Sequence, residues 1–298
     1  MTYSIVARDP DTGELGVGVQ TCMFAVGTIV PWAKSGVGAV ATQAFAEAAY
    51  GWRCLEQLDQ GRTSAEALDA ARAVDPGAAI RQVGVVDAQG RAASFTGASC
   101  IDHAGNQLGS GYTVQGNMLA SPEVWPAMAS AYEGASGPLA DRLLAALYAG
   151  EAEGGDARGR LSAALLVVDG QPHEHPGEGV LVDLRVDHHD APLDELARLL
   201  DARGAFDAGL RSYAELMDGR PDAAVASAAA ALARLPDDEN FRFAHGIATV
   251  LAGDIGAGRS ELRALVAARP SWETIIRSFA AQGLLTLPGG VTVDSLLA

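Results

Sequence analysis

Lysine is almost missing from this sequence. Of the 298 residues, 21 are basic, and every one of these except Lys34 is an arginine. Lysine differs from arginine because burial can make its amine neutral, which allows a lysine to act as a base. Lys34 is therefore a candidate catalytic residue. A surface lysine without a special role is the simpler interpretation.

Positive charge as a whole is also scarce. The formal net charge is -16, and residues 1–203 contain 26 Asp and Glu against 13 Lys and Arg. Residues 204–298 are less acidic, with 11 against 8. Nucleic acids and anionic membranes attract basic surfaces, so we expect neither as a partner.

Long hydrophobic runs are absent. The longest uncharged, alanine-rich stretch, residues 223–233, is too short to cross a bilayer. Near the amino terminus, Arg8 and Asp9 interrupt the first apolar stretch before it reaches the length of a signal-peptide core. The expected location is therefore the cytoplasm.

Cysteine and histidine are few and are not spaced as metal ligands. The odd number of cysteines, Cys22, Cys54 and Cys100, favours reduced thiols over disulfides. Four of the six histidines lie close together, at 173, 175, 188 and 189, without an HExxH spacing, and neighbouring residues of a strand point to opposite faces. We predict neither a metal nor another cofactor. Thiol chemistry at Cys22 is a weaker alternative, because no histidine lies near it in the sequence.

Groups of short strands alternate with pairs of helices over the first two thirds of the chain. Turn residues and alternating hydrophobicity predict strands over 3–8, 14–20, 37–43, 81–87, 92–96, 111–115, 162–169 and 180–186. Helices are predicted over 46–60, 64–74, 122–132 and 139–149. This order is typical of an α+β sandwich with helices on the outer faces of packed sheets, rather than of a doubly wound parallel sheet.

A repeat appears after residues 193–201, where the chain becomes helical and alanine-rich. Gly219 and Gly253 lie 34 residues apart, as do Pro236 and Pro270, and this is the tetratricopeptide period. We therefore predict two domains, 1–203 and 204–298, the second a small all-α module resembling tetratricopeptide repeats. Two such units cannot bury a continuous core alone, so we expect a homo-oligomer or packing on the first domain. Dimer stabilisation and binding of a protein partner both remain open.

The amino terminus offers a nucleophile. Met1 is followed by Thr2, whose small side chain permits removal of the methionine by an aminopeptidase. A threonine with a free α-amino group carries its own base beside its hydroxyl. The alternative is that Thr2 simply begins an edge strand, since threonine favours strands.

Two glycine-containing segments supply further candidates. In GGDARGRLSA, residues 154–163, Asp156 and Arg158 can pair with each other or hold a substrate carboxylate. In VQGNML, residues 114–119, the turn at Gly116 and Asn117 can stabilise an oxyanion or can simply need permissive residues. The other substrate-binding candidates are Gln43, which ends the segment VPWAKSGVGAVATQ, and Ser162, which ends the first of these loops.

These motifs together resemble an uncharacterised bacterial and archaeal family, domain of unknown function 1028. The resemblance covers residues 1 to about 200 and is carried by 1–9, 30–43, 85–97, 114–117, 154–167 and 183–189. That family is grouped with the N-terminal nucleophile hydrolases, whose fold is a four-layer αββα sandwich. The resemblance implies that Thr2 is the nucleophile and that Lys34 lowers its pKa, as a lysine does in proteasome-type enzymes. The chain departs from the family at Leu161, where glutamine is usual.

Two functions compete at this point. In the first, Met1 is removed and Thr2 attacks a small amide or peptide, with Lys34, Gly116 and Asn117 assisting. In the second, Met1 is retained and the sandwich is a non-catalytic binding or assembly protein, since a fold alone does not confer the activity of its relatives. Loss of one methionine separates the two.

Overall fold

Two antiparallel sheets form the first part of the molecule. The computed structural model describes residues 2–175, 177–283 and 287–298. Its strands are β1 Thr2–Arg8, β2 Leu15–Thr21, β3 Pro31–Lys34, β4 Gly38–Ala44, β5 Arg81–Asp87, β6 Ala92–Thr96, β7 Gly105–Gly109, β8 Tyr112–Asn117, β9 Ser162–Val168 and β10 Val180–Val186. The six-stranded sheet has the order β10-β9-β2-β1-β8-β7, and the four-stranded sheet has the order β3-β4-β5-β6.

Helices cover the outer face of each sheet. They are α1 Ala49–Asp59, α2 Ser64–Ala73, α3 Val124–Gly134 and α4 Leu139–Ala152. On the small sheet, Val40 and Val83 pack against Tyr50 and Leu68 of α1 and α2. On the large sheet, α4 packs closely because β2 has glycine where side chains would collide with it: a Cβ at Gly16 would lie 2.8 Å from Leu143.

The inner faces of the sheets contact each other. Successive side chains of a strand point to opposite faces. In β1, Val6 accordingly belongs to an apolar cluster that also contains Val17 of β2 and Ala41 of β4. Tyr3 faces the other way, and its hydroxyl donates to Glu151 of α4 at 2.9 Å. The buried interface between the sheets therefore comes from every second residue of each strand.

A second compact unit begins at Arg198, after the first ends at Ala197. Its helices are the later part of α5 Pro192–Met217, then α6 Pro221–Arg234, α7 Glu239–Leu251, α8 Ile255–Ala268, α9 Ser271–Ala281 and α10 Val293–Leu297. Gly219 and Gly253 have left-handed φ angles of 70° and 105°, after the ends of α5 and α7 respectively. The two glycines of the 34-residue repeat therefore stop helices at equivalent positions.

The predicted mixed α+β fold, with antiparallel sheets and a helical carboxy-terminal region, is confirmed. Strands β3 and β7 were not predicted. Strand β3 is short and half-exposed, and β7, with the sequence GNQLG, has no hydrophobic alternation. The proposed domain boundary at 203/204 lies within α5, which continues as a helix through Gly204. Among the helices of the described residues, none is long and apolar enough to span a membrane.

Candidate functional site

Several strands meet at one end of the sandwich, where β1 begins. Because β1 is antiparallel to both of its neighbours, its first residues lie beside the last residues of β2 and β8. Thr2 is opposite Asn117, and Tyr3 is opposite Gln20. In the other sheet, Gln43 near the end of β4 is opposite Gln82 at the start of β5. This end therefore contains polar residues from five strands.

Thr2 lies at the centre of this group of polar residues. Its side chain points between the sheets, as those of Ser4 and Val6 do, and Thr2 is only 6% exposed. The hydroxyl donates to Thr21 Oγ1 at 3.3 Å. The Thr2 carbonyl accepts from Gln43 Nε2 at 3.2 Å and from Asn117 Nδ2 at 3.4 Å. Both the hydroxyl and the backbone of Thr2 are therefore held by side chains of neighbouring strands.

These partners belong to a larger set of buried side chains, which we call the amide network: Ser4, Gln43, Gln82, Gln115 and Asn117. Gln82 Oε1 accepts from Gln43 at 2.8 Å and from Asn117 at 2.9 Å. Ser4 Oγ donates to Gln43 Oε1 at 2.7 Å and accepts from Gln115 Nε2 at 2.6 Å. A buried amide without partners is costly, whereas a satisfied network is rigid. The amide network therefore fixes the start of β1.

The hydrogen bonds within the amide network limit what its members can donate to a ligand. The two hydrogens of the Asn117 amide are used by Thr2 and Gln82, and the amide of Gln43 is likewise occupied. Gly116 lies inside the sheet, opposite Tyr3 of β1 and Gly105 of β7. The structure thus brings Asn117 and Gln43 to Thr2, where their amides donate to the Thr2 carbonyl, whereas Gly116 forms part of the sheet one residue away.

A cavity of about 300 Å³ opens at the same end. Its walls are Met23, Ala44, Phe45, Cys100, Ile101, Asn117, Met118 and Arg158. The large apolar side chains on it are exposed, from 48% for Ile101 to 56% for Met23. Apolar side chains left in water around a cavity are typical of a binding site.

The backbone around this cavity is strained. Two of the residues that line it, Ala44 and Met118, have φ angles of 70° and 50°, and Ala25, two residues after Met23, has a φ angle of 55°. A residue with a side chain pays about 1–2 kcal/mol for this left-handed conformation. Such strain clusters at functional sites, and here three instances occur together.

Asp156 and Arg158 form the polar wall of the cavity. The Asp156 carboxylate is completely buried and accepts from the backbone N–H groups of Cys22 and Arg158, each at 3.0 Å. The Arg158 side chain is 40% exposed, with Nη2 at 3.4 Å from Asp156 Oδ2 and Nη1 at 3.8 Å from Met23 Sδ. Arg158 therefore both pairs with Asp156 and lines the cavity, although the sequence offered ion pairing and substrate binding as alternatives.

Cys22 and Ser162 have other roles beside this wall. Burial, followed by the Asp156 carboxylate, raises the pKa of the Cys22 thiol. A raised pKa keeps the thiol protonated, which disfavours thiol chemistry here. Ser162 is buried, donates to the Met23 carbonyl at 2.6 Å and accepts from the Val26 N–H at 3.1 Å. It therefore anchors the loop that presents Met23 instead of facing a ligand.

Lys34 lies apart from Thr2. It ends β3, opposite Gly38, whereas Gln43 occupies the other end of β4. Between Gly38 and Gln43 the strand rises roughly 16 Å, which exceeds the reach of a lysine side chain. The Lys34 ammonium pairs instead with Asp59 at 2.7 Å, and both side chains are about half exposed. The structure thus corrects the prediction that Lys34 assists Thr2.

Histidines do not join the site. His173 lies 3.0 Å from Asp169, and both are partly exposed. Within the described ranges, no three histidine, cysteine or carboxylate side chains form a metal-binding group. The structure has all three cysteines as free thiols.

Sequence reasoning missed most of the amide network. Gln82, Ser4 and Gln115 were not singled out, nor was Thr21. A signal was present for Ser4 and Gln82: each is a polar residue on the same face of its strand as a residue of the apolar cluster, Val6 in β1 and Val86 in β5. The walls Phe45, Ile101 and Met118 lie outside regular strands and carried no comparable signal.

Comparison with known proteins now identifies the first unit. The model of a family of unknown function, DUF1028, matches residues 2–196. The crystal structure of a Silicibacter pomeroyi protein of the same family matches with 35% sequence identity and a TM-score of 0.60, covering 67% of this chain and 87% of the other. Among curated proteins, none matches this sequence. The chain therefore belongs to the DUF1028 family.

Proposed function

We propose that the first unit is an αββα sandwich of the N-terminal nucleophile type and that it hydrolyses small amides or peptides, with Thr2 as nucleophile after removal of Met1. Two facing antiparallel sheets with helices on both outer sides support this fold. Fold alone does not establish activity, so the proposal depends on the site.

One observation carries the proposal. The hydroxyl and the carbonyl of Thr2 are both held in place at the buried start of a central strand, next to a strained, apolar-lined cavity. An edge threonine that merely favours strand structure needs none of this. A reacting group must be held within a fraction of an ångström, and the amide network supplies that support.

The chemistry follows from Thr2 itself. Once Met1 is cleaved, the new α-amine takes the proton from the Thr2 hydroxyl as the oxygen attacks the amide carbonyl. The tetrahedral intermediate collapses by breaking the C–N bond, and the protonated α-amine returns its proton to the leaving amine. Water then hydrolyses the acyl ester, which regenerates the Thr2 hydroxyl and releases the acid. Lys34 takes no part, and Asn117 and Gln43 position Thr2.

A second candidate has its own support. The amide hydrogens of Asn117 already have partners, and the one lysine lies far from Thr2, so the helpers expected of an enzyme are not assembled. In this alternative the cavity binds a ligand without turnover, and Met1 stays in place.

For the second unit, we propose a tetratricopeptide-like module. The equivalent placement of Gly219 and Gly253 after α5 and α7 supports it. Such a module recruits a protein partner or stabilises a homo-oligomer. The molecular mass in solution, by light scattering, distinguishes assembly from a monomer.

The intact mass of protein from its native host tests the proposal first, because catalysis requires the loss of one methionine. Hydrolysis of a panel of acyl amides and short peptides follows. Thr2→Ala should abolish turnover, and Thr2→Ser should retain part of it. Thr12→Ala, at an exposed threonine in the β1–β2 turn, is the matched control and should behave as wild type. A retained methionine, or equal rates for wild type and Thr2→Ala, would contradict the proposal.

A further inference from the structure

We propose that the cavity selects small amides that carry a carboxylate, bound by Arg158, next to an apolar group, which contacts Met23, Phe45 and Ile101. The hydrolysis of such a compound rests on the proposed function, but its binding does not. The scissile amide would lie between Thr2 and the residues that bind these two groups.

Arg158 supplies the anion recognition. Its Nη1 contacts the sulfur of Met23 at 3.8 Å, and a thioether is a weak acceptor. A carboxylate is a far stronger partner for a guanidinium, and the planar group can hold it by two parallel hydrogen bonds. Arg158 therefore brings a guanidinium to the wall of the cavity.

Asp156 orients this arginine. Its buried carboxylate is fixed by two backbone N–H groups and lies beside the guanidinium. Asp156 does not remove Arg158 from the cavity, because the Arg158 side chain lines it and is 40% exposed. Residues 1–203 carry twice as many acidic as basic side chains, 26 against 13. A positive group on the wall of a cavity in so acidic a domain points to a negatively charged ligand.

The apolar residues of the cavity wall determine the second part of the ligand, its hydrophobic substituent. Met23, Phe45 and Ile101 are each about half exposed and face the same cavity as Arg158. About 300 Å³ is the lower end of the range for small-molecule sites. The ligand is therefore a small molecule with one hydrophobic substituent rather than a long peptide.

A chain of contacts connects the arginine to the nucleophile. The Thr2 hydroxyl contacts Thr21, the next residue is Cys22, and its N–H donates to Asp156 beside Arg158. An anion on Arg158 thus lies close to a carbonyl at Thr2. N-acyl amino acids have this arrangement, because their carboxylate is one carbon away from the amide nitrogen.

Calorimetry with a matched pair of probes tests the inference. N-acetyl-L-phenylalanine carries the carboxylate, and N-acetyl-L-phenylalanine amide lacks the charge. The full chain with Thr2→Ala is used, so that binding is measured without turnover. We expect the acid to bind about tenfold to hundredfold more tightly than the amide, as for a charge-assisted hydrogen bond. Arg158→Met should remove this preference, and Arg158→Lys should keep part of it.

Arg160→Met is the control, since Arg160 is a half-exposed neighbour that pairs with Glu151 and does not line the cavity. It should keep the full preference for the acid. Equal affinity of wild type for acid and amide, or no binding of either, would overturn the inference, as would an unchanged preference in Arg158→Met. If the preference is present but Met1 is retained and no amide is cleaved, the hydrolase proposal fails while this inference stands.

Discussion

The interface between the two sheets has two halves of opposite character. One half is an apolar cluster that includes Val6, Leu15 and Val17. The other half is the amide network around Thr2, where glutamine, serine and asparagine side chains pair with one another in the interior. The change occurs along individual strands: in β5, Gln82 faces the network and Val86 faces the apolar cluster.

Comparing the two halves distinguishes side chains that stabilise the fold from side chains that hold the candidate site. The apolar half shows that these sheets pack well with small aliphatic side chains, which stabilise the fold by removing surface from water. Buried amides contribute little net stability even when satisfied, because their hydrogen bonds replace bonds to water. Their concentration at the start of β1 is the support that the proposed role of Thr2 requires.

The largest loss of stability is expected in the apolar half. Leu15→Ala removes a completely buried side chain and leaves a cavity, which should lower the free energy of unfolding by about 2–5 kcal/mol. Urea titration of the full chain measures this loss. The control Val74→Ala, at a position 62% exposed, should change the value by less than about 0.5 kcal/mol. A loss as small as that of the control would show that the sheets are not held together here.

A smaller loss is expected in the amide network. Gln82→Leu leaves the amides of Gln43 and Asn117 without their shared acceptor, and this should cost about 1–3 kcal/mol of unfolding free energy. Turnover should fall as well, because Thr2 loses its support. Gln89→Leu, at an exposed glutamine, serves as control in the same titration. If Gln82→Leu left turnover unchanged, the network would have no role in positioning Thr2.

The smallest effect is expected at Gly84, between the two halves. A Cβ at this position would lie 2.4 Å from Gln115 Oε1, so the glycine leaves room for the network. Gly84→Ala should shift the buried amide of Gln115 at a cost of about 1 kcal/mol, the low end of the range for overpacking. Gly134→Ala, where a Cβ meets nothing within 4 Å, is the matched control and should leave stability unchanged or slightly raised. Equal melting temperatures for the two variants would contradict this description.

Much of the fold was accessible from sequence because local patterns determine it. Strands β5, β6 and β10 were predicted with their observed bounds, and the helix predicted from residue 64 begins at Ser64, after a Thr63 N-cap that forms a full capping box with Glu66. Hydrophobic alternation and capping act over a few residues, so one sequence reveals them.

The site was only partly accessible, because it depends on which strands are neighbours. Thr2 and Asn117 were predicted, and they are register partners. Lys34 was misplaced, since its offset from Thr2 along the chain does not show that β3 runs away from Thr2. Gln82 was missed because its hydrogen-bond partners come from four other strands, β4, β6, β7 and β8, and no single segment of the sequence shows which strands are neighbours.

The most direct test of the central claim is mass spectrometry of the amino-terminal peptide after treatment with an acylating β-lactone. The account predicts a peptide that begins at Thr2 and carries the acyl group on the Thr2 hydroxyl, with no such adduct in Thr2→Ala. A peptide that still begins with Met1, or an amino terminus that stays unmodified while the label is found elsewhere, would contradict it.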